Sequence, residues 1–221
     1  MNQHPGVFGR KLGMTQLFAE DGTLVPCTVV ESKTVVLAKR TKDKDGYDAL
    51  VVGSDDKKEG RVNKAQAGQF KKSGISPKQN VRELRGSAEF VAGFEVGQEV
   101  KVDQIFEEGQ FVDVQGITKG HGFTGVVGRW GFAGNIQTHG THEYRRHGGS
   151  IGTRMTPGRV KLGQKMGGQM GNETLSILNQ KVMKLIPDQN LVLIQGGIPG
   201  ARGGLVVVRG AIKKAGGKPK K

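Results

Sequence analysis

The chain has 221 residues, with 34 Lys and Arg against 20 Asp and Glu, a formal charge of +14 and an isoelectric point near 10.0. That surplus points to nucleic acid or an anionic membrane surface as partner, and the lack of any long apolar run excludes a bilayer-spanning helix. A single cysteine, Cys27, excludes an internal disulfide framework and fits a reducing compartment.

The opening Met1-Asn2-Gln3-His4-Pro5-Gly6 has neither the apolar stretch of a signal peptide nor the Arg/Ser-rich pattern of a transit peptide. Short β-branched runs follow at residues 7–10, 14–18, 25–31, 35–40 and 49–53. Asp21-Gly22 lies between two of them and Asp45-Gly46 leads into another, supplying the positive φ of tight hairpin turns. Five strands at this spacing point to a small barrel rather than a parallel sheet. Cys27 falls inside the third run, so a buried structural thiol is expected.

Residues 55–82 are polar and Lys-rich, with helical spacing at 63–70 and breaks at Gly68, Gly74 and Pro77. They read as a small insertion with one or two short helices. The run Asp55-Asp56-Lys57-Lys58-Glu59 reads as a solvated turn. Strand signals return at 100–102 and 111–117, then at 181–186, 191–194 and 205–209, where the last strands pair back with the first to close the barrel. Residues 213–221 form a basic tail.

Between the two sets of strands, residues 116–171 carry sixteen glycines, eight Lys or Arg, four of the five histidines and one acid, Glu143. No helical or strand period is sustained there. So few apolar residues cannot offset the entropy of ordering the segment, so a polyanion is expected to order it. Arg, His, backbone amides exposed by Gly and scattered aromatics suit an RNA-binding extension. A flexible Gly-rich linker is the plain alternative, and Trp130 with clustered Arg argues against it. Trp130 itself suits either core packing or a stacking platform at the root of the extension.

Three motif matches lose their force in context. Gly120-His121-Gly122-Phe123-Thr124-Gly125 fits the dinucleotide fingerprint, but Gly128, Gly131 and Gly134 follow where a helix must start. Gly148-Gly149-Ser150-Ile151-Gly152 fits the nucleophile elbow, but no histidine follows His147. His139, His142 and His147 lack the spacing and the fourth ligand of a zinc site. They are better placed to donate to phosphate or base edges, or to stack on bases. No set of residues with catalytic chemistry is visible, and neither a metal nor a cofactor is expected.

The stretch from Phe106 to Trp130 carries Phe106, Asp113, Gly116, Thr118, Gly120-His121-Gly122, Gly125 and Arg129. In these positions it resembles the signature of the large-ribosomal-subunit protein L-three family. Other stretches resemble family landmarks in the same order. They are Gly9-Arg10-Lys11-Leu12-Gly13-Met14-Thr15, Thr138-His139-Gly140, Gly149-Ser150-Ile151-Gly152 and Thr156-Pro157-Gly158-Arg159-Val160. Lys165-Met166-Gly167-Gly168-Gln169-Met170-Gly171 and Gly196-Gly197-Ile198-Pro199-Gly200-Ala201 complete the set. The length resembles bacterial members.

The resemblance implies a mainly β fold: a closed six-stranded translation-protein-type β-barrel with a small α-containing insertion and a long Gly/Arg-rich loop extension. It implies a barrel from residues 1–54 and 172–212, an insertion lobe with packing strands at 55–115, and an rRNA-threading extension at 116–171. It implies a cytoplasmic, ribosome-bound structural component that binds 23S-type rRNA early in assembly, beside neighbouring large-subunit proteins, with no membrane and no small-molecule substrate. Expected rRNA contacts are Arg10, Lys11, Lys119, His121, Arg129, Trp130, His139, His142, Arg145, Arg146, His147, Arg154, Arg159, Lys161 and Lys165. The loop tip, Ser150, Ile151, Gly152, Thr153, Arg154, Met155 and Thr156, is expected near the peptidyl-transferase centre. Some bacterial members carry a methylated glutamine just before the Thr-Pro-Gly of that loop, and this chain has Met155 there. The competing functions are a free-standing RNA-binding or RNA-chaperone module and, from another class, a nucleotide-dependent enzyme.

Overall fold

A computed structural model describes residues 4–19 and 21–214. Most of the basic tail therefore lies outside the described residues. Two compact units are present, Met1–Ile117 with Thr174–Lys221, and Thr118–Glu173.

The first unit opens with β1 (Gly6–Phe18), β2 (Leu24–Ser32) and β3 (Thr34–Arg40), then α1 (Lys42–Asp45), β4 (Ala49–Asp56), α2 (Lys64–Ser73), β5 (Lys78–Arg85), α3 (Ala88–Ala92), β6 (Glu99–Val100) and β7 (Phe111–Ile117). The second unit contributes β8 (Gly122–Thr124), α4 (Val126–Trp130) and β9 (Gly168–Met170). The chain then returns to the first unit through β10 (Thr174–Ile186), β11 (Leu191–Gln195) and β12 (Leu205–Gly210).

Six strands pair antiparallel in a closed ring, in the order β1-β12-β7-β10-β11-β2. Closure leaves the ring without an open edge. Alternate positions turn inward, as period two requires, and bury Val7, Val30, Val112, Val114, Val192, Ile194, Val206 and Val208. Cys27 is buried and free, and burial pushes its thiol above the ordinary value, so it is an inert packing residue.

A second sheet runs β5-β4-β3-β6. One of its faces supplies Val36, Leu50, Val52 and Leu84 to the ring's own core, with Phe94 and Phe106. Its other face places Leu37 and Val51 under Phe70 of α2. Ser32 and Thr34 stand where the chain leaves the ring, and both hydroxyls donate to the Phe8 carbonyl, at 3.1 and 2.8 Å. The buried backbone acceptor is thereby satisfied at the crossing.

Several expectations are corrected here. Residues 7–10 and 14–18 are one strand, interrupted by a bulge between Lys11 and Gly13. Residues 35–40 and 49–53 do not belong to the ring, and a boundary at residue 54 cuts through β4. Their runs are apolar on both faces because the sheet is covered on both, and such runs do not identify their partners. Residues 111–115, assigned to the insertion, lie in ring strand β7. Asp45-Gly46 ends the short helix α1, with Gly46 in the left-handed region, instead of forming a hairpin turn. The charge run at 55–59 is not merely solvated, since Asp55 pairs with Arg10 at 3.1 Å and Asp56 with Lys78 at 2.7 Å. The helix expected at 63–70 is α2, capped by the Asn63 side chain accepting from the Gln66 amide.

Candidate nucleic-acid interface

The second unit is built from the residues that composition singled out. At its base the Thr118 amide donates to the Glu173 carbonyl at 2.9 Å, and the Thr118 hydroxyl accepts from the Glu173 amide at 3.2 Å. The two arms then pair through β8 and β9, with Gly122 opposite Met170 and Thr124 opposite Gly168. The His121 amide donates to the Met170 carbonyl at 2.9 Å. Gly171 holds φ at +71°, and any Cβ there would strike the Lys119 carbonyl. No other residue fits at that close approach.

Helix α4 begins immediately after Gly125 and ends at Gly131, which takes a φ of +73° and donates its amide hydrogen to the Val127 carbonyl. The expectation that these glycines forbid a helix is thus corrected: Gly128 is accommodated and Gly131 terminates the helix after five residues. This is still far from the long helix that a dinucleotide fold starts at its fingerprint. The helix places Trp130 so that its indole Nε1 donates to the Met166 carbonyl at 2.8 Å. Arg129 donates to the same carbonyl at 3.2 Å, and its guanidinium lies 4.9 Å from the indole centroid. The Lys165 ammonium lies 5.7 Å from that centroid. One aromatic ring therefore joins both arms and gathers two cations over its π system.

Beyond the ribbon the backbone turns on its own polar groups. Residues His142–Arg146 form a short 3-10 turn. The Asn135 amide donates to the Arg145 carbonyl at 3.0 Å, its side chain donates to the Tyr144 carbonyl at 2.9 Å, and Arg145 Nε donates to the His142 carbonyl at 2.9 Å. The Tyr144 and His147 rings sit 4.8 Å apart. Over residues 150–156, the Ser150 hydroxyl donates to the Gly152 carbonyl and accepts from the Gly152 amide, and the Thr153 hydroxyl donates to the Thr156 carbonyl. Ser150 is thus engaged in a local turn, and no helix follows it as a nucleophile elbow requires.

No residue of 118–173 is buried. Phe123, Ile136, Met155 and Leu162 are 84%, 72%, 85% and 101% exposed, so even the large apolar side chains find no core. Seven of the eight cations, Lys119, Arg145, Arg146, Arg154, Arg159, Lys161 and Lys165, are exposed, and Arg129 is half-buried. His121, His139, His142 and His147 are exposed as well. Among the described residues every ion pair lies in the first unit. The cations of the second unit consequently face outward with no carboxylate to neutralise them.

Arg10 and Lys11 stand apart from this group. Arg10 pairs with Asp55, and the Lys11 ammonium donates to the carbonyls of Ile198 and Gly200 at 2.8 and 3.2 Å. Three signature residues serve the ring. Phe106 is in the core, and Gly116 faces Val206 and Pro199 where a Cβ would crowd both. Asp113 is buried and accepts from the Asn179 and Ile212 amides at 2.9 and 3.1 Å. The exposed Phe123 and Leu162 and the Met166 carbonyl are not among the residues expected from the sequence. A lone aromatic or leucine in a glycine-rich run was the available signal for the first two.

The chain matches the model of the family described as Ribosomal protein L3 over residues 84–190. It is 56% identical over 218 residues to large ribosomal subunit protein uL3 of Sorangium cellulosum, covering 99% of this chain and 94% of that protein. It is 48% identical to the uL3 protein of Oceanobacillus iheyensis, over 94% of this chain and 98% of the relative. It is 44% identical to that of Corynebacterium glutamicum, over 96% of each. Identity at this level along nearly the whole length shows that the chain belongs to the ribosomal protein L3 (uL3) family.

Proposed function

We propose that the chain is a structural constituent of the large ribosomal subunit, where it binds 23S-type rRNA early in assembly beside neighbouring ribosomal proteins. The closed ring corresponds to the translation-protein-type barrel, and residues 116–171 are the extension that threads through rRNA. The tip at residues 150–156 points toward the peptidyl-transferase centre and acts by packing and hydrogen bonding. The observation that carries this is a hydrogen-bonded unit with no buried residue and outward-facing, unneutralised cations. Such a unit is completed by phosphate, which supplies both the missing charge and the missing packing surface.

Sedimentation tests the proposal. The tagged full chain should remain with the large subunit through a high-salt wash that strips loosely held factors. Release into the supernatant would favour a free-standing RNA-binding or chaperone module.

A further inference from the structure

The hairpin formed by β1 and β2 runs past the ring. Strand β12 pairs with β1 only as far as Arg10, and β11 pairs with β2 only from Cys27 onward. Past these limits Gln16 to Phe18 pair with Pro26 to Leu24 as a two-stranded ribbon, continuing from the ring's own pair of Met14 with Thr28. Directly opposed residues share a face, and so do alternate residues along a strand. One face of the hairpin therefore carries Met14, Gln16, Phe18, Leu24 and Pro26, with the buried Thr28 opposite Met14. Phe18 is 76% exposed, Met14 57% and Leu24 46%. The opposite face holds the half-buried Leu17 and Val25 and the buried Cys27.

The charge of this hairpin is opposite to that of the chain. Residues 12–32 contain no Lys or Arg, in a chain that has 34, and carry Glu20 and Asp21 at the turn, besides Glu31, which pairs with Lys33 at 2.7 Å. Hydrogen bonding from the Thr23 side chain, then from the Thr23 amide at 3.0 Å, holds the Asp21 carboxyl below its ordinary value. Phosphate repels such a surface. A second copy of the chain would bring like charges together at the tip. Contiguous exposed apolar side chains with an acidic end fit a partner protein whose surface is apolar and basic.

We propose that the face formed by Met14, Phe18, Leu24 and Pro26 docks a basic, apolar surface of another protein of the large subunit. The proposal rests on the chain being a large-subunit component.

The test places the photo-cross-linker benzoylphenylalanine at position 18 of the full chain, with the same label at position 123 as a comparison. Subunits are purified through high salt and irradiated. The expected product at position 18 is a cross-link to one ribosomal protein, within a peptide of net positive charge. The label at position 123 should cross-link to rRNA. A Met14→Asp, Leu24→Asp variant should lower the position-18 cross-link on the order of tenfold, with melting of the free protein unchanged, because both sites are exposed. Cross-linking of position 18 to rRNA, to an acidic peptide or to nothing overturns the docking surface while leaving the ribosomal assignment intact. Failure of the labelled and wild-type chains to enter the subunit overturns both.

Discussion

Asp113 shows how a residue that marks the family can serve the fold alone. Its carboxylate meets the bulge of β10, where Asn179 takes a φ of +57°, and also holds the Ile212 amide just after β12. Two backbone donors from separate segments thus end on one buried side chain. Asp113→Ala strands both, and a lost bond to a charged acceptor costs about 1.5–3 kcal/mol. The variant should be destabilised by roughly 2–4 kcal/mol in chemical denaturation of the free protein. A change under about 0.5 kcal/mol would mean that water replaces the carboxylate at no loss. His147 is the opposite case. It is exposed, and the contact it makes is with the Tyr144 ring. No carboxylate orients it, as a general base would need. Single-turnover peptide-bond formation by subunits carrying His147→Ala should slow by less than about tenfold, whereas loss of a true general base costs about 10²–10⁴-fold.

Among the elements, ring strands β2, β7, β11 and β12 were legible because each is a compact β-branched run between turn residues. Strand β5, Lys-Gln-Asn-Val-Arg-Glu-Leu-Arg, was not, because among its residues only Leu84 is buried and its polar side chains erase the alternation. Helix α3 is five residues long, too short for a 3.6-residue period to register. In the second unit, the cations and Trp130 were legible as exceptions in a glycine-rich stretch. The contact that positions Trp130 was not, because the Met166 carbonyl is a backbone group and leaves no mark in the sequence. That contact ties α4 to the arm before β9. Trp130→Ala removes the hydrogen bond, worth about 0.5–1.5 kcal/mol, together with the stacked cations. Limited proteolysis within 118–173 should quicken by roughly fivefold to tenfold in the free protein. Trp130→Phe, which keeps a ring but no donor, should fall between. Equal cleavage rates in all three proteins would show that the indole does not hold the arms together.

At the scale of the whole molecule, burial and charge are divided between the two units. The first holds every buried residue among those described, and the second holds none while presenting eight cations. Composition revealed this division, and the return of the last strands to the first was legible too, but the second sheet that shares the ring's core was hidden. Phosphate contacts should dominate affinity. Replacing Arg145, Arg146 and Arg159 together by Ala should flatten the dependence of log affinity for 23S-type rRNA on log salt by about 0.7–0.9 per lost contact. An unchanged slope would place these guanidinium groups away from phosphate.

The coreless unit gives the most direct test of the account, through hydrogen exchange followed in the free chain and in salt-washed large subunits. Amides of the ring strands should be protected in both states, since their bonds lie over a packed core. Amides of 118–173 should exchange quickly in the free chain, with the slowest at the β8–β9 ribbon, and become protected in the subunit. Equal protection of 118–173 in the two states would contradict the claim that rRNA completes this unit.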